Sequence, residues 1–249
     1  MPHIHLRRFD KTVTPFPLGR HVEHDSRSRD FTFAVPARHI TRTIVWPHNA
    51  PVLDQGQTSS CTGNAISQML NCDMFAPVRK AKHQKFLSEQ AALHFYGLGT
   101  HLDGFGPDQY YPPNDDGGSG LGVAKAAVQL GYVDRYSHVF TWDQLQAAIQ
   151  TQPVIVGTSW TNNMFHPDGN GFLSPGPLVQ SNIAGGHEYL CQGIDYERQA
   201  LVFLNSWGPG WGAGSNAGLT PGQFRISFAD FQALLADDGD IVVPHGKGL

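Results

Sequence analysis

The chain has 249 residues, 40% of them hydrophobic and 15% charged, enough to bury a sizeable core in one large domain or two lobes. The net charge is −4 and there is no basic run, so nothing points to nucleic acid or to an anionic membrane. No apolar stretch approaches the roughly 20 residues of a membrane span, and the start, Met1 to Arg8, lacks the apolar core of a signal peptide. A cytoplasmic protein is the expectation.

Residues 1–48 are polar and rich in His, Arg and Pro, with no sustained helical period; we read them as an extended N-terminal segment. Phe31–Val35 and Ile40–Val45 are short and β-branched or alternating, as in edge strands or extended surface segments. His3 and His5, and His21 and His24, complete no recognised metal-ligand spacing with a nearby Cys or carboxylate, so no metal is expected. Cys61 opens a helical run through Ala65, Ile66, Met69 and Leu70 to about Phe75, with Pro77 as its stop. Ser88-Glu89-Gln90 predicts the start of a second helix capped by Gly97, and Leu121 to Leu130 a third, closed by Gly131. Thr141-Trp-Asp-Gln144 is a capping box for a short helix to about Gln150.

Beyond that point the pattern changes. Pro153–Trp160, Tyr189–Ile194, Ala200–Leu204, Gln223–Phe228 and Ile241–Val243 read as strands, with a helix over Ala229–Leu235. Helices in the first half and antiparallel strands in the second predict an α+β fold with two lobes. The boundaries are about 49–135 for the helical lobe and 136–243 for the β-rich one, within a domain spanning 49–249.

A thiol at a helix N-terminus lies among free backbone N–H groups at the positive end of the macrodipole, which favours thiolate. Gln55, on the turn before Cys61, can aim its amide N–H beside that sulfur and, with the Cys61 N–H, supply two donors for a developing oxyanion. A single cysteine is more often a small buried hydrophobe; the downstream partners change the balance. Gly185-Gly186-His187 enters a strand and Asn205-Ser206-Trp207-Gly208 leaves one. His187 can take the thiol proton and return it to a leaving amine, and Asn205 can fix the imidazole plane without adding charge. Trp207 can cover that hydrogen bond. Gly185 and Gly186 leave room beside the histidine for a bulky substrate side chain. Three cysteines are too few for a disulfide scaffold; Cys72 and Cys191 could pair, but without a secretion signal two buried free thiols are the expectation.

Taken together, these residues resemble the papain-like cysteine peptidases, and more closely their bacterial and phage branch, over roughly residues 50–243. The resemblance rests on the Gln55-to-Cys61 spacing, on Ser60-Cys-Thr-Gly-Asn-Ala65, on Leu87-Ser-Glu-Gln90 and, most specifically, on Asn205-Ser-Trp-Gly-Pro-Gly-Trp-Gly212 followed by Gly222-Gln-Phe-Arg-Ile226. It implies a two-lobed fold with a cleft between a helical left lobe and an antiparallel β-rich right lobe. It also implies Cys61 as nucleophile, His187 as base and acid, Asn205 as orienter and Gln55 as oxyanion donor. Gly117 and Gly118 match the glycine pair whose backbone pairs with an extended substrate, while Gly186 and Trp207 border the cleft.

The implied activity is hydrolysis of peptide bonds through a thioester, on a peptide or protein substrate and with no cofactor. The alternatives are an acyl transferase or cell-wall amidase on the same machinery, or a catalytically silent binding protein. The chain departs from the family at three places. Thr58 and Asp115 stand where family members often have a disulfide. Residue 188 is Glu where a small apolar residue is usual. The stretch before Gln55, 54 residues, is shorter than the family's inhibitory propeptides; it could cross the cleft, but nothing in its sequence shows that.

Overall fold

The structure is a computed structural model that describes residues 3–6, 10, 12, 14–37, 41–212 and 214–246. In the helical half, helices α1 (Cys61–Asn71), α2 (Ala76–Ala81), α3 (Glu89–Leu102) and α4 (Gly120–Gln129) pack together. Every residue of α1 is buried, so this helix is enclosed on all sides and has no solvent stripe. It ends at Asn71, before the expected Phe75. Pro77 does not stop a helix either: it sits in the first turn of α2, where its missing N–H costs nothing. Nor does α3 end at Gly97. Gly97 and Gly99 lie inside it because neighbours come close: a Cβ on Gly99 would lie 2.8 Å from the Val123 side chain of α4.

The second half is built on strands β4 (Val133–Val139), β5 (Val154–Thr161), β6 (Ile183–Asp195), β7 (Ala200–Leu204), β8 (Gln223–Ser227) and β9 (Asp240–Gly246). They form an antiparallel sheet in the order β4-β9-β5-β6-β7-β8, and β3 (Ile44–Val45) joins at β6. β4 carries no clean alternation and was not foreseen; Ile40 of the expected Ile40–Val45 strand lies outside the described residues. Phe31 ends a 3-10 turn, and only Thr32 of its predicted strand forms a bridge, to His138. Helix α5 (Trp142–Ile149) starts in the expected capping box, and α6 (Phe228–Ala236) follows β8. Two short strands, β1 (His3–His5) and β2 (Val22–His24), pair with each other.

Side chains of a strand alternate between faces, and here both faces are covered. Val154, Val156, Tyr189, Cys191, Ile241 and Val243 join an aromatic-rich core with Trp160, Phe203 and Phe224. Ile155, Leu190 and Val242, one residue out of step, join the helical core with Ile66, Met69 and Phe95. The sheet is thus the wall between two cores, and α1 crosses it at β6. All three cysteines are free and buried. Among the described residues no helix is long and apolar enough to cross a membrane.

Candidate active site

Cys61 is the first residue of α1, and Ser60 makes no side-chain cap, so the first-turn N–H groups remain open. The backbone N–H groups of Thr62 and Glu188 favour the Cys61 thiolate. The Glu188 N–H puts the Cys61 sulfur beside β6, the strand that carries His187. The loop before Cys61, and α1 itself, are tied to the segment that follows β7 by three hydrogen bonds. The Gln55 N–H donates to the Ser206 carbonyl (2.9 Å), Ser206 Oγ donates to Gln55 Oε1 (2.7 Å), and Gln68 Nε2 of α1 donates to the Asn205 carbonyl (3.0 Å). These bonds hold Gln55, Cys61 and Asn205 as one buried unit. The missing disulfide has a substitute. Asp115 accepts from the Ser59 N–H (2.9 Å) and from Tyr96 Oη (3.1 Å), fastening the cysteine loop to the segment before Gly117.

His187 and Asn205 meet as expected. The Ser206 N–H donates to Asn205 Oδ1 (2.8 Å), which fixes the amide so that Oδ1 accepts from His187 Nε2 at 2.7 Å. With the proton on Nε2, Nδ1 of the neutral ring is an acceptor, and among the described residues it has no partner. Trp207 stacks on the imidazole (4.8 Å, 26°) and Trp160 meets it edge-on (4.8 Å, 74°). The role expected for Trp207 is therefore shared with Trp160, which no motif marked. Burial among these rings pushes the imidazole down to about 4, against the Asn205 bond.

The N-terminal segment does enter the cleft, through residues 16–22. They run through the cleft between the lobes. Phe16 stacks on Trp207 (4.6 Å, 10°), and the Pro17 carbonyl accepts from Gln55 Nε2 and Trp207 Nε1, both at 3.3 Å. Gly118 N–H donates to the Gly19 carbonyl and the Gly118 carbonyl accepts from His21 N–H, each at 2.8 Å, in a parallel bridge centred on Arg20. On the other side the Gly186 carbonyl accepts from Gly19 N–H (3.0 Å) and Arg20 N–H (2.9 Å). So Gly117, Gly118 and Gly186 do line a slot for an extended backbone, and the protein's own chain lies in it. A Cβ on Gly117 or Gly186 would strike that backbone, so their lack of side chain makes room for main chain and not for a bulky side chain. Leu18, Arg20 and Val22 are fully buried there. The signal was faint: Phe16-Pro-Leu-Gly is an apolar island in a polar stretch.

Filling the cleft changes its electrostatics. Desolvation penalises the charged form, and it pushes the Cys61 thiol far above its ordinary range despite the helix N-terminus and two N–H groups. The thiolate expected from the macrodipole is not the form favoured while the slot is occupied. Glu188, fully buried next to Asp240, is pushed well up by burial, with Arg20 opposing. Among the described residues no group of His, Cys, Asp or Glu comes together in a way that could hold a metal ion.

No protein-family model and no curated protein sequence matches the chain. Solved structures do. Xylellain, a cysteine protease from Xylella fastidiosa, is 20% identical with a TM-score of 0.57, covering 97% of this chain and 99% of that one. The Carica candamarcensis cysteine protease CMS1MS2 in complex with E-64 is 20% identical with a TM-score of 0.58, over 84% of this chain and all of that one. Bromelain from Ananas comosus, also in complex with E64, is 15% identical with a TM-score of 0.59 over the same shares. The chain has the two-lobed α+β fold of the papain-like cysteine proteases.

Proposed function

We propose that this chain is a cysteine peptidase whose cleft is covered by its own N-terminal segment. In this reading residues 1–48 are an N-terminal segment of which residues 16–22 form the cover, and residues 49–249 are the peptidase domain. The observation that carries it is the oriented imidazole. Asn205 holds the proton on Nε2, and Nδ1 is left as acceptor on the strand that borders Cys61.

The chemistry follows from those atoms. His187 Nδ1 takes the Cys61 proton, and the thiolate attacks the carbonyl carbon of a peptide bond. The oxygen, now negative, receives N–H donors from Gln55 Nε2 and the Cys61 backbone. That Gln55 Nε2 already donates to a carbonyl oxygen, that of Pro17, supports its aim. The imidazolium passes its proton to the amine as the C–N bond breaks, leaving a thioester. Water then gives a proton to Nδ1, attacks the thioester and releases the acid, and Cys61 recovers its proton. Asn205 keeps the ring in plane throughout. Trp207 and Trp160 keep water from the His187–Asn205 bond, which strengthens it.

The rival reading is a silent binding protein, favoured by the burial of Cys61. Displacing the cover decides between them. A Cβ on Gly19 would collide with the Ser59 carbonyl, so Gly19→Ala expels the segment without altering Cys61 or His187. Iodoacetamide should then label Cys61 rapidly at neutral pH, and His187→Ala should remove that reactivity. A Cys61 that stays inert in a folded, opened Gly19→Ala protein supports the silent reading.

A further inference from the structure

Beside the backbone slot lies a buried pocket with two carboxylates. Gly157 of β5 is in register with Glu188 of β6 on one side and Asp240 of β9 on the other. Cross-strand partners share a face of the sheet, so the two carboxyl groups flank the glycine from either side. Gly120, at the start of α4, closes the space from above. Both glycines make room for charge. A Cβ on Gly157 would lie 2.5 Å from Glu188 Oε2, 2.6 Å from Arg20 Nε and 2.8 Å from Asp240 Oδ1; on Gly120 it would lie 2.5 Å from Glu188 Oε1. Two buried like charges repel and are costly without a cation between them.

Arg20 supplies that cation. Its side chain enters from the slot, is fully buried, pairs with Asp240 and donates to the Asp238 carbonyl at 2.6 Å. Yet its fit is partial. Among the described residues, Nε and Nη1 of Arg20 and both carboxylate oxygens of Glu188 have no hydrogen-bond partner. The pocket offers more acceptors than this occupant uses. A guanidinium presents five donors in a planar fork, so it can engage two carboxylates at once where an ammonium, a point charge, cannot do so in plane.

We propose that this pocket selects an arginine side chain of the substrate, and that Arg20 is its built-in occupant, anchoring the segment that covers the cleft. An extended peptide lying between Gly118 and Gly186 enters the same slot as residues 19–21 and presents a side chain to the same two carboxylates. A neutral side chain there leaves them desolvated and unpaired, which gives discrimination as well as attraction. The proposal rests on reading the cleft as a peptidase site, and the two can fail separately.

The test uses the full chain carrying Gly19→Ala, which displaces the segment and leaves the pocket side chains in place, and in parallel Arg20→Met, which keeps the apolar stem and removes the fork. Cleavage of a random peptide mixture, read by mass, should show arginine enriched at one fixed position relative to the cut. At that position a peptide with arginine should exceed its citrulline twin in kcat/KM by about tenfold or more, and Asp240→Asn in the same background should cut that ratio about tenfold. The same peptides are also scored for protecting Cys61 from iodoacetamide. Equal cleavage of the twins overturns the pocket and leaves the peptidase reading standing. No cleavage, with protection by the arginine peptide alone, keeps the pocket and overturns the peptidase reading. Neither cleavage nor selective protection overturns both. A folded Arg20→Met protein whose Cys61 labels as slowly as wild type overturns the anchor.

Discussion

His187 and Glu188 are neighbours in one strand and live in opposite surroundings. His187 faces the aromatic core under Trp207 and Trp160, with Asn205 as its hydrogen-bond partner. Glu188 faces the other side, with Asp240 and Arg20 around it. The alternation of a β-strand is what separates them. One face holds a ring whose plane and tautomer are fixed by Asn205; the next residue sets a carboxyl group beside Asp240 and Arg20. In the proposed function, reaction chemistry and side-chain choice sit one residue apart without sharing a dielectric environment. Both faces are sealed by the same segment, Phe16 against Trp207 and Arg20 against Asp240.

That contrast can be broken from either side. The largest effect is expected on the chemical side. In the opened Gly19→Ala background, Cys61→Ala should abolish turnover while circular dichroism and the melting temperature stay close to the parent, since alanine is tolerated at a helix start. Loss of folding would contradict the assignment of Cys61 as nucleophile rather than core. Next, His187→Ala should slow turnover by about 10²–10⁴-fold, the usual worth of a positioned acid–base group. Asn205→Ala should slow it by clearly less, because Asn205 orients the ring and carries no proton in the cycle. Equal kcat/KM losses would mean the asparagine does more than orient.

A smaller effect, in stability, distinguishes the two faces by the sign of its pH dependence. His187 titrates at about 4 in the fold against an ordinary 6.5, so the folded chain binds fewer protons than the unfolded one between those values. Its contribution is present above pH 6.5 and is lost as pH falls through the window, by up to about 1.4 kcal/mol per unit. Glu188 is displaced upward, so its contribution runs the other way: favourable at low pH and lost as pH rises above the ordinary carboxylate range. The two oppose each other between about pH 4.5 and 6.5. Glu188→Gln should therefore steepen the fall of melting temperature on acidification through that range. An unchanged or shallower slope would mean Glu188 is ionised in the closed protein.

Much of the fold was legible because local signals agreed with it. The Thr141 capping box, the Gly131 stop after α4, the apolar run of β7 and the alternating residues of β8 all appear where their chemistry places them. The pairing of His187 with Asn205 was also legible, because Asn205-Ser-Trp-Gly is a specific run. Pro77 and Gly97 misled because each has two uses: proline starts helices as well as ending them, and a glycine inside a helix can serve close packing. The cover was not legible, since its bonds to Gly118 and Gly186 are made by backbone, which carries no residue signature. Arg20 and Asp240 are separated by most of the chain, so nothing local couples them. Glu188 stood out as unusual, but its meaning required seeing what lay opposite it.

A Cys61–His187 pair held closed by residues 16–22 is tested most directly by iodoacetamide labelling at each cysteine, located by peptide mass from about pH 6 to 9. Cys72 and Cys191, both buried and both pushed up, serve as internal controls. In the wild-type chain the raised Cys61 thiol should label slowly, gaining about tenfold per pH unit as thiolate appears. In Gly19→Ala, labelling at Cys61 should be fast already at pH 6, nearly flat with pH, and lost on adding His187→Ala. A Cys61 in the opened protein no more reactive than Cys72 and Cys191 would contradict the account.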